Sequence, residues 1–127
     1  MQETQLFEYA IIRVVPRVER EEFLNVGVML FCKKTAFLHM LYTVDEKRLQ
    51  ALYGDIDLEN IKTNLHALEQ ICMGKAPASP IATLDTAGRF RWLTAKRSTV
   101  VQMSAVHPGL CADPAETLQR LFQQILH

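Results

Sequence analysis

The residues predict an α+β fold, in which a small, mainly antiparallel sheet of about four strands carries helices packed on one or both faces. Three observations lead there. Runs rich in β-branched and aromatic residues fill the first third of the chain, capped stretches of helical periodicity follow, and one extended run returns before a last amphipathic stretch. Strands grouped early and helices grouped later favour α+β packing over a doubly wound parallel sheet.

The first strand is LFEYAIIRVV, Leu6 to Val15, closed by Pro16. RVEREE, residues 17–22, is a charged connection. Phe23 to Cys32 reads FLNVGVMLFC and predicts a second strand. Strict alternation places Leu24, Val26, Val28 and Leu30 on its core face and Phe23, Asn25, Gly27, Met29 and Phe31 on the other. Lys33 and Lys34 make a polar turn, after which Ala36 to Thr43 pairs back as a hairpin strand.

Asp45 opens a short helix as its cap, Val44 packs on Leu49, and Gly54 ends it. A second helix is capped by Asp57, carries the stripe Leu58, Ile61, Leu65, Leu68 and Cys72, and stops at Gly74. KAPASP, residues 75–80, is a loop. A short helix then holds Phe90, Trp92 and Leu93, and Thr99 to Met103 forms the fourth strand. His107-Pro108-Gly109 reads as a loop. Asp113 caps the last helix, with Pro114 at its first position, Glu116 where a capping-box carboxylate belongs, and Leu118, Leu121, Phe122 and Ile125 on its buried face.

At 127 residues, with no linker, repeat or low-complexity tract, the chain is expected to form one domain, 1–127, able to bury a core without staples. Fourteen basic residues balance fourteen acidic ones, which argues against coating nucleic acid by bulk charge and leaves room for a local basic patch. Cys32, Cys72 and Cys111 lie far apart with no CxxC, so neither a zinc ribbon nor a dithiol redox motif is supported. An odd cysteine count and a start lacking a signal-peptide pattern predict a reducing, cytoplasmic setting with buried thiols. No stretch reaches the roughly 20 apolar residues of a membrane helix.

Two segments carry the candidate binding residues. The first contains Arg13, Arg17, Arg20 and Asn25. Arg13 sits inside an apolar strand, where a charge must be paired or led to solvent. The simplest account pairs Arg13 and Arg17 with Glu19 or Glu22; the sharper one makes the guanidinium groups a fork for phosphate or carboxylate. Gly27, in mid-strand, marks a bulge or a close backbone approach. The second segment, RFRWLTAKRSTVVQMSAVHPG, interleaves Arg89, Arg91, Lys96 and Arg97 with Phe90 and Trp92 and adds Ser98, Gln102 and His107. Basic residues among aromatics suit nucleic acid, although aromatics at helical spacing are more often core.

YAIIRVVPRVEREEFLNVGVMLF and RFRWLTAKRSTVVQMSAVHPGL together resemble the two signature blocks of a bacterial family, domain of unknown function 3037, in wording and order over nearly the whole chain. The family typically carries Pro where this chain has Lys96 and Gly at or near Glu21. The resemblance brings no established activity, so no catalytic residue is carried over. Members are sometimes encoded beside a kinase-like protein of the toxin–antitoxin type, which implies a protein partner.

No cofactor or metal is implied. The five glycines are isolated and form no phosphate loop, and His39, His66, His107 and His127 lack metal-ligand spacing. His39, within a strand, is expected to be a packed or satisfied histidine rather than a ligand. Three functional readings follow. The first is a non-catalytic interaction or regulatory module binding a protein partner or a second copy, because Phe23, Met29, Phe31, Phe37 and Leu41 need covering. The second is an anion, phosphate or nucleic-acid binder whose two basic segments meet in one pocket. The third is a hydrolase or nuclease drawing on Ser98, Ser104, Cys111 or His107 with Glu19 and Glu22, although no nucleophile-elbow motif is present.

Overall fold

The computed structural model of the chain describes residues 3–75, 79–97 and 99–126. Its strands are β1 (Gln5–Val14), β2 (Leu24–Cys32), β3 (Phe37–Tyr42), β4 (Val101–Met103) and β5 (His107–Cys111). Its helices are α1 (Glu46–Leu52), α2 (Leu58–Cys72), α3 (Thr86–Thr94) and α4 (Pro114–Leu126), with 3-10 turns at Val18–Arg20 and Pro80–Thr83. The sheet is antiparallel in the order β3-β2-β1-β4, and β5 also pairs with β1. The fold is the expected α+β one, with five strands instead of about four.

The added strand is the segment read as a loop. His107 to Cys111 pairs with Tyr9 to Gln5, so β4 and β5 form one broken outer strand along β1. Pro108 and Gly109 are turn residues in isolation, but here they lie on a sheet edge. Tyr9, Phe7 and Gln5 continue the odd-numbered β1 positions whose backbone faces the outer strand, which turns His107, Gly109 and Cys111 inward and Pro108 outward. The missing Pro108 N–H therefore faces away from β1, where a strand tolerates proline.

The alternation expected along β2 is also broken. Ile12 pairs with Gly27 and Arg13 with Asn25, leaving Val26 as an extra residue in a β-bulge. Leu24 and Val26 consequently share a face with Met29 and Phe31, while Val28, Leu30 and Cys32 occupy the other. Gly27 allows the bulge to press on β3: a Cβ there would lie 2.7 Å from Tyr42 Cβ and closer still to the Leu41 carbonyl oxygen.

Both faces are covered. On one, Ile12, Val14, Met29 and Phe31 pack with Leu49 of α1, Ile61 and Leu65 of α2, and Phe90 and Leu93 of α3. On the other, Phe7, Val28, Leu30 and Cys32 meet Leu118 of α4, with Leu121, Phe122 and Ile125 along its margin. Most residues thought to need an external cover are therefore covered from within: Met29 and Phe31 are buried, and Phe37 and Leu41 pack at the α4 cluster. The helix caps form as the sequence predicts. Asp45 accepts from Arg48 N–H, Asp57 from Asn60 N–H and Asp113 from Ala115 N–H. The first helix closes at Tyr53, whose N–H donates to Leu49 O, one residue before the expected Gly54. His39 is exposed on β3 and packs against the Phe37 ring. No helix of the described residues is long and apolar enough to cross a membrane.

Candidate anion-binding site

The strand register builds the site. Arg13 stands between Asn25 on β2 and Gln102 on β4, so three polar side chains form a row across the sheet. Arg13 shares the odd-numbered face of β1 with Phe7 and Tyr9, which lie at the α4 cluster. Its guanidinium is not neutralised by an acid in the described structure. Instead it stacks on Phe23, with Cζ 4.1 Å from the ring centroid. Arg13 Nε and Asn25 Oδ1 are buried with no hydrogen-bond partner among the described residues.

Arg97, far away in sequence, reaches the same concavity from the segment after α3. Its guanidinium lies 3.8 Å from the Trp92 ring centroid, and Nη2 donates to the Trp92 carbonyl oxygen. Burial lowers its pKa from the ordinary arginine value. Arg13, Lys96, Arg97, Gln102, Met103 and Ser104 line a cavity of about 620 Å³, within the size range of small-ligand sites. Neither an acidic nor an aromatic residue belongs to its described lining.

Two polar groups are fixed by the chain itself. Gln102 Nε2 donates to Thr99 O at 2.9 Å. Ser104 Oγ accepts from Ile11 N–H at 2.8 Å and donates to Ala105 O at 2.9 Å. That hydroxyl bridges the break between β4 and β5, an architectural task that engages both its donor and an acceptor position.

The other candidate residues lie elsewhere. Arg17 pairs with Glu19 at 2.8 Å and Arg20 with Glu22 at 2.7 Å, both on the surface beside Leu52 and Tyr53. The Glu19 backbone and then the Arg17 guanidinium hold the Glu19 carboxyl below its usual range. Arg89 donates to Leu84 O at 2.6 Å and lines a separate cleft with His39, Lys75 and Thr86, while its buried Nε has no partner among the described residues. Arg91 is exposed on α3. His107 is exposed on β5 and lies against Tyr9, with ring centroids 5.3 Å apart. Ser98 lies outside the described residues, as does His127.

The cavity thus gathers Arg13, Arg97 and Gln102 from the candidates, and Asn25 flanks Arg13. Lys96 and Ser104, both within the second basic segment, line it too, whereas the sequence did not mark Phe23 and Trp92 as the platforms that hold its arginines. An arginine alternating with apolar strand residues, followed at the next strand's start by an exposed phenylalanine, was the available signal for the first platform.

Among the described residues no group of three or more His, Cys, Asp or Glu is placed to hold a metal. Cys32, Cys72 and Cys111 are free and buried; burial pushes the Cys72 thiol up to about 12 and raises that of Cys111.

Residues 9–126 match the family described as proteins of unknown function, DUF3037. The chain belongs to that family. No curated protein and no solved structure matches it. Glu21 has a left-handed backbone with φ 55°. Lys96 contributes a cation to the cavity.

Proposed function

We propose that the chain is a non-catalytic binding module, working as a single domain, which takes a phosphate-type anion in the cavity beside β4. One observation carries this reading: Arg13 and Arg97 meet at a cavity whose described lining contains no acid. Each guanidinium is already backed by an aromatic ring, which reduces the side-chain ordering required on binding. Lys96 adds a third positive charge. The three free, buried cysteines support a reducing, cytoplasmic setting.

Catalysis has less support. Ser104 is the nucleophile type in the described lining, and its hydroxyl is engaged on both sides by backbone. Neither a histidine nor a carboxylate in that lining is available to activate it. Titration calorimetry with inorganic phosphate tests the binding reading. Saturable binding that is lost in Arg13→Gln and Arg97→Gln supports it; no heat with phosphate, sulfate or pyrophosphate refutes it.

Leu6 and Leu110 support a second reading, a protein contact. They are cross-strand neighbours on β1 and β5, with exposures of 60% and 68%. Light scattering across protein concentrations, repeated with Leu110→Asp, tests for self-association through this pair; a concentration-independent monomer counts against a second copy as the occupant.

A further inference from the structure

We infer that the anion entering this cavity is a phosphoryl group carried on an extended peptide, whose backbone adds to the open edge of β4. The inference rests on the anion-binding reading and adds the chemical source of the anion.

Hydrogen-bond parity defines the edge. Val15 N–H donates to Val100 O at 2.7 Å, and Ser104 N–H donates to Ile11 O at 2.8 Å. Residues 100, 102 and 104 thus turn their backbone toward β1, while Val101 and Met103 turn theirs outward. Thr99 Oγ1 takes the Val101 carbonyl at 2.7 Å. Met103 N–H and C=O have no hydrogen-bond partner among the described residues. This free donor–acceptor pair belongs to a residue that also lines the arginine cavity. An unpaired strand edge is a template for an added strand, and main-chain pairing is a common mode of peptide capture.

Charge determines what the strand must bring. Cations from β1 and from the segment after α3 approach one space with no acid in its described lining. A planar carboxylate offers two oxygens, whereas a phosphoryl group offers three acceptor oxygens in tetrahedral array and nearly two negative charges, enough to serve donors from separate walls. A nucleotide fits less well. The cavity's described lining contains no aromatic residue, and the neighbouring Phe23 and Trp92 rings already stack with Arg13 and Arg97.

The test uses the full chain and four probes: inorganic phosphate, a blocked alanine–valine heptapeptide with a central phosphoserine, adenosine 5′-monophosphate, and a 5′-phosphorylated oligothymidylate. The heptapeptide is expected to bind at least about tenfold more tightly than phosphate, because main-chain bonds add to the ionic ones. N-methylation walked along the peptide is expected to erase that gain at the one position whose N–H meets the Met103 carbonyl and to spare its two neighbours, the signature of strand pairing at this edge. Arg97→Gln is expected to weaken phosphate and heptapeptide alike. A heptapeptide no tighter than phosphate, N-methyl groups that change nothing, or a nucleotide probe that binds more tightly than the heptapeptide overturns the peptide inference while leaving anion binding intact. Phosphate and heptapeptide both failing to bind removes the two readings together.

Discussion

Arg13 is held by Phe23: the guanidinium carbon lies 4.1 Å from the ring centroid, although the ring is itself 44% exposed. A large aromatic left half in water is explained here by the cation it orients. Phe23→Ala should therefore lower phosphate affinity about two- to fivefold, the range for a partly exposed cation–π contact. Because Phe23 precedes β2 and is outside the buried core, the melting temperature should change little. Calorimetry with phosphate beside thermal melts checks both halves. Unchanged affinity would show that Arg13 keeps its pose without the ring.

Arg97 differs in having both a ring beneath it and a carbonyl bond to Trp92. Arg97→Lys retains the charge but loses the planar fork, and lysine is a poor substitute at stacked or bidentate sites. Phosphate affinity should fall about tenfold in Arg97→Lys, close to the loss in Arg97→Gln. Binding by the unaltered chain should also weaken as ionic strength rises, since an open cavity is screened by salt. An Arg97→Lys protein that binds as well as the original would reduce the site to a diffuse positive field.

Helix caps were the most legible part of the sequence because a cap is a local event: Asp45, Asp57 and Asp113 need only the next few backbone N–H groups. Gly27 in mid-strand signalled a bulge or a close backbone approach, and both occur there; which residue bulges, Val26, and the face switch it causes were hidden because they are relations between strands, defined by which β1 residue faces Gly27. For the same reason β5 read as a loop, since Pro108 becomes acceptable only once the neighbouring strand fixes which way its nitrogen points. The site was half visible. Arg13 inside an apolar run signalled a charge needing a destination, whereas its meeting with Arg97 depends on β4 pairing beside β1.

Backbone conformation gives a pair of predictions with opposite signs. Glu21 has φ 55°, a left-handed conformation that carries a steric cost for any residue with a Cβ. Glu21→Gly should stabilise the fold by about 0.5–1 kcal/mol after the extra freedom of glycine in the unfolded chain is counted. Gly27→Ala should do the reverse. Its new methyl meets β3 backbone and the Tyr42 Cβ, none of which is the far end of a flexible side chain. A loss of about 1–3 kcal/mol is expected from such overpacking. Urea midpoints for the two variants, with slopes compared to exclude a change in unfolding cooperativity, measure both.

The Cys72 thiol links the core to alkaline pH. Burial raises its pKa from 9.0 to about 12; Arg89 opposes the shift and Glu69 adds to it. A raised folded pKa means that the native state keeps its proton after the unfolded chain has released it. The stability due to the neutral thiol is therefore complete below pH 9 and is lost as pH climbs toward 12. Within that window it should contribute a decline of about 1.4 kcal/mol per pH unit. Cys72→Ala will be less stable at neutral pH because it opens a small cavity at the C-terminal end of the buried face of α2, but its stability should fall less steeply above pH 9. The other alkaline titrations, including Tyr42 and Cys111, which burial also raises, occur in both proteins and largely cancel in the difference. Chemical denaturation at several pH values from 7.5 to 10.5 measures the two slopes (about three pH units suffice to separate them). Parallel slopes would mean that the thiol ionises in the native state as readily as in the unfolded one, and hence that α2 does not seal Cys72 from water.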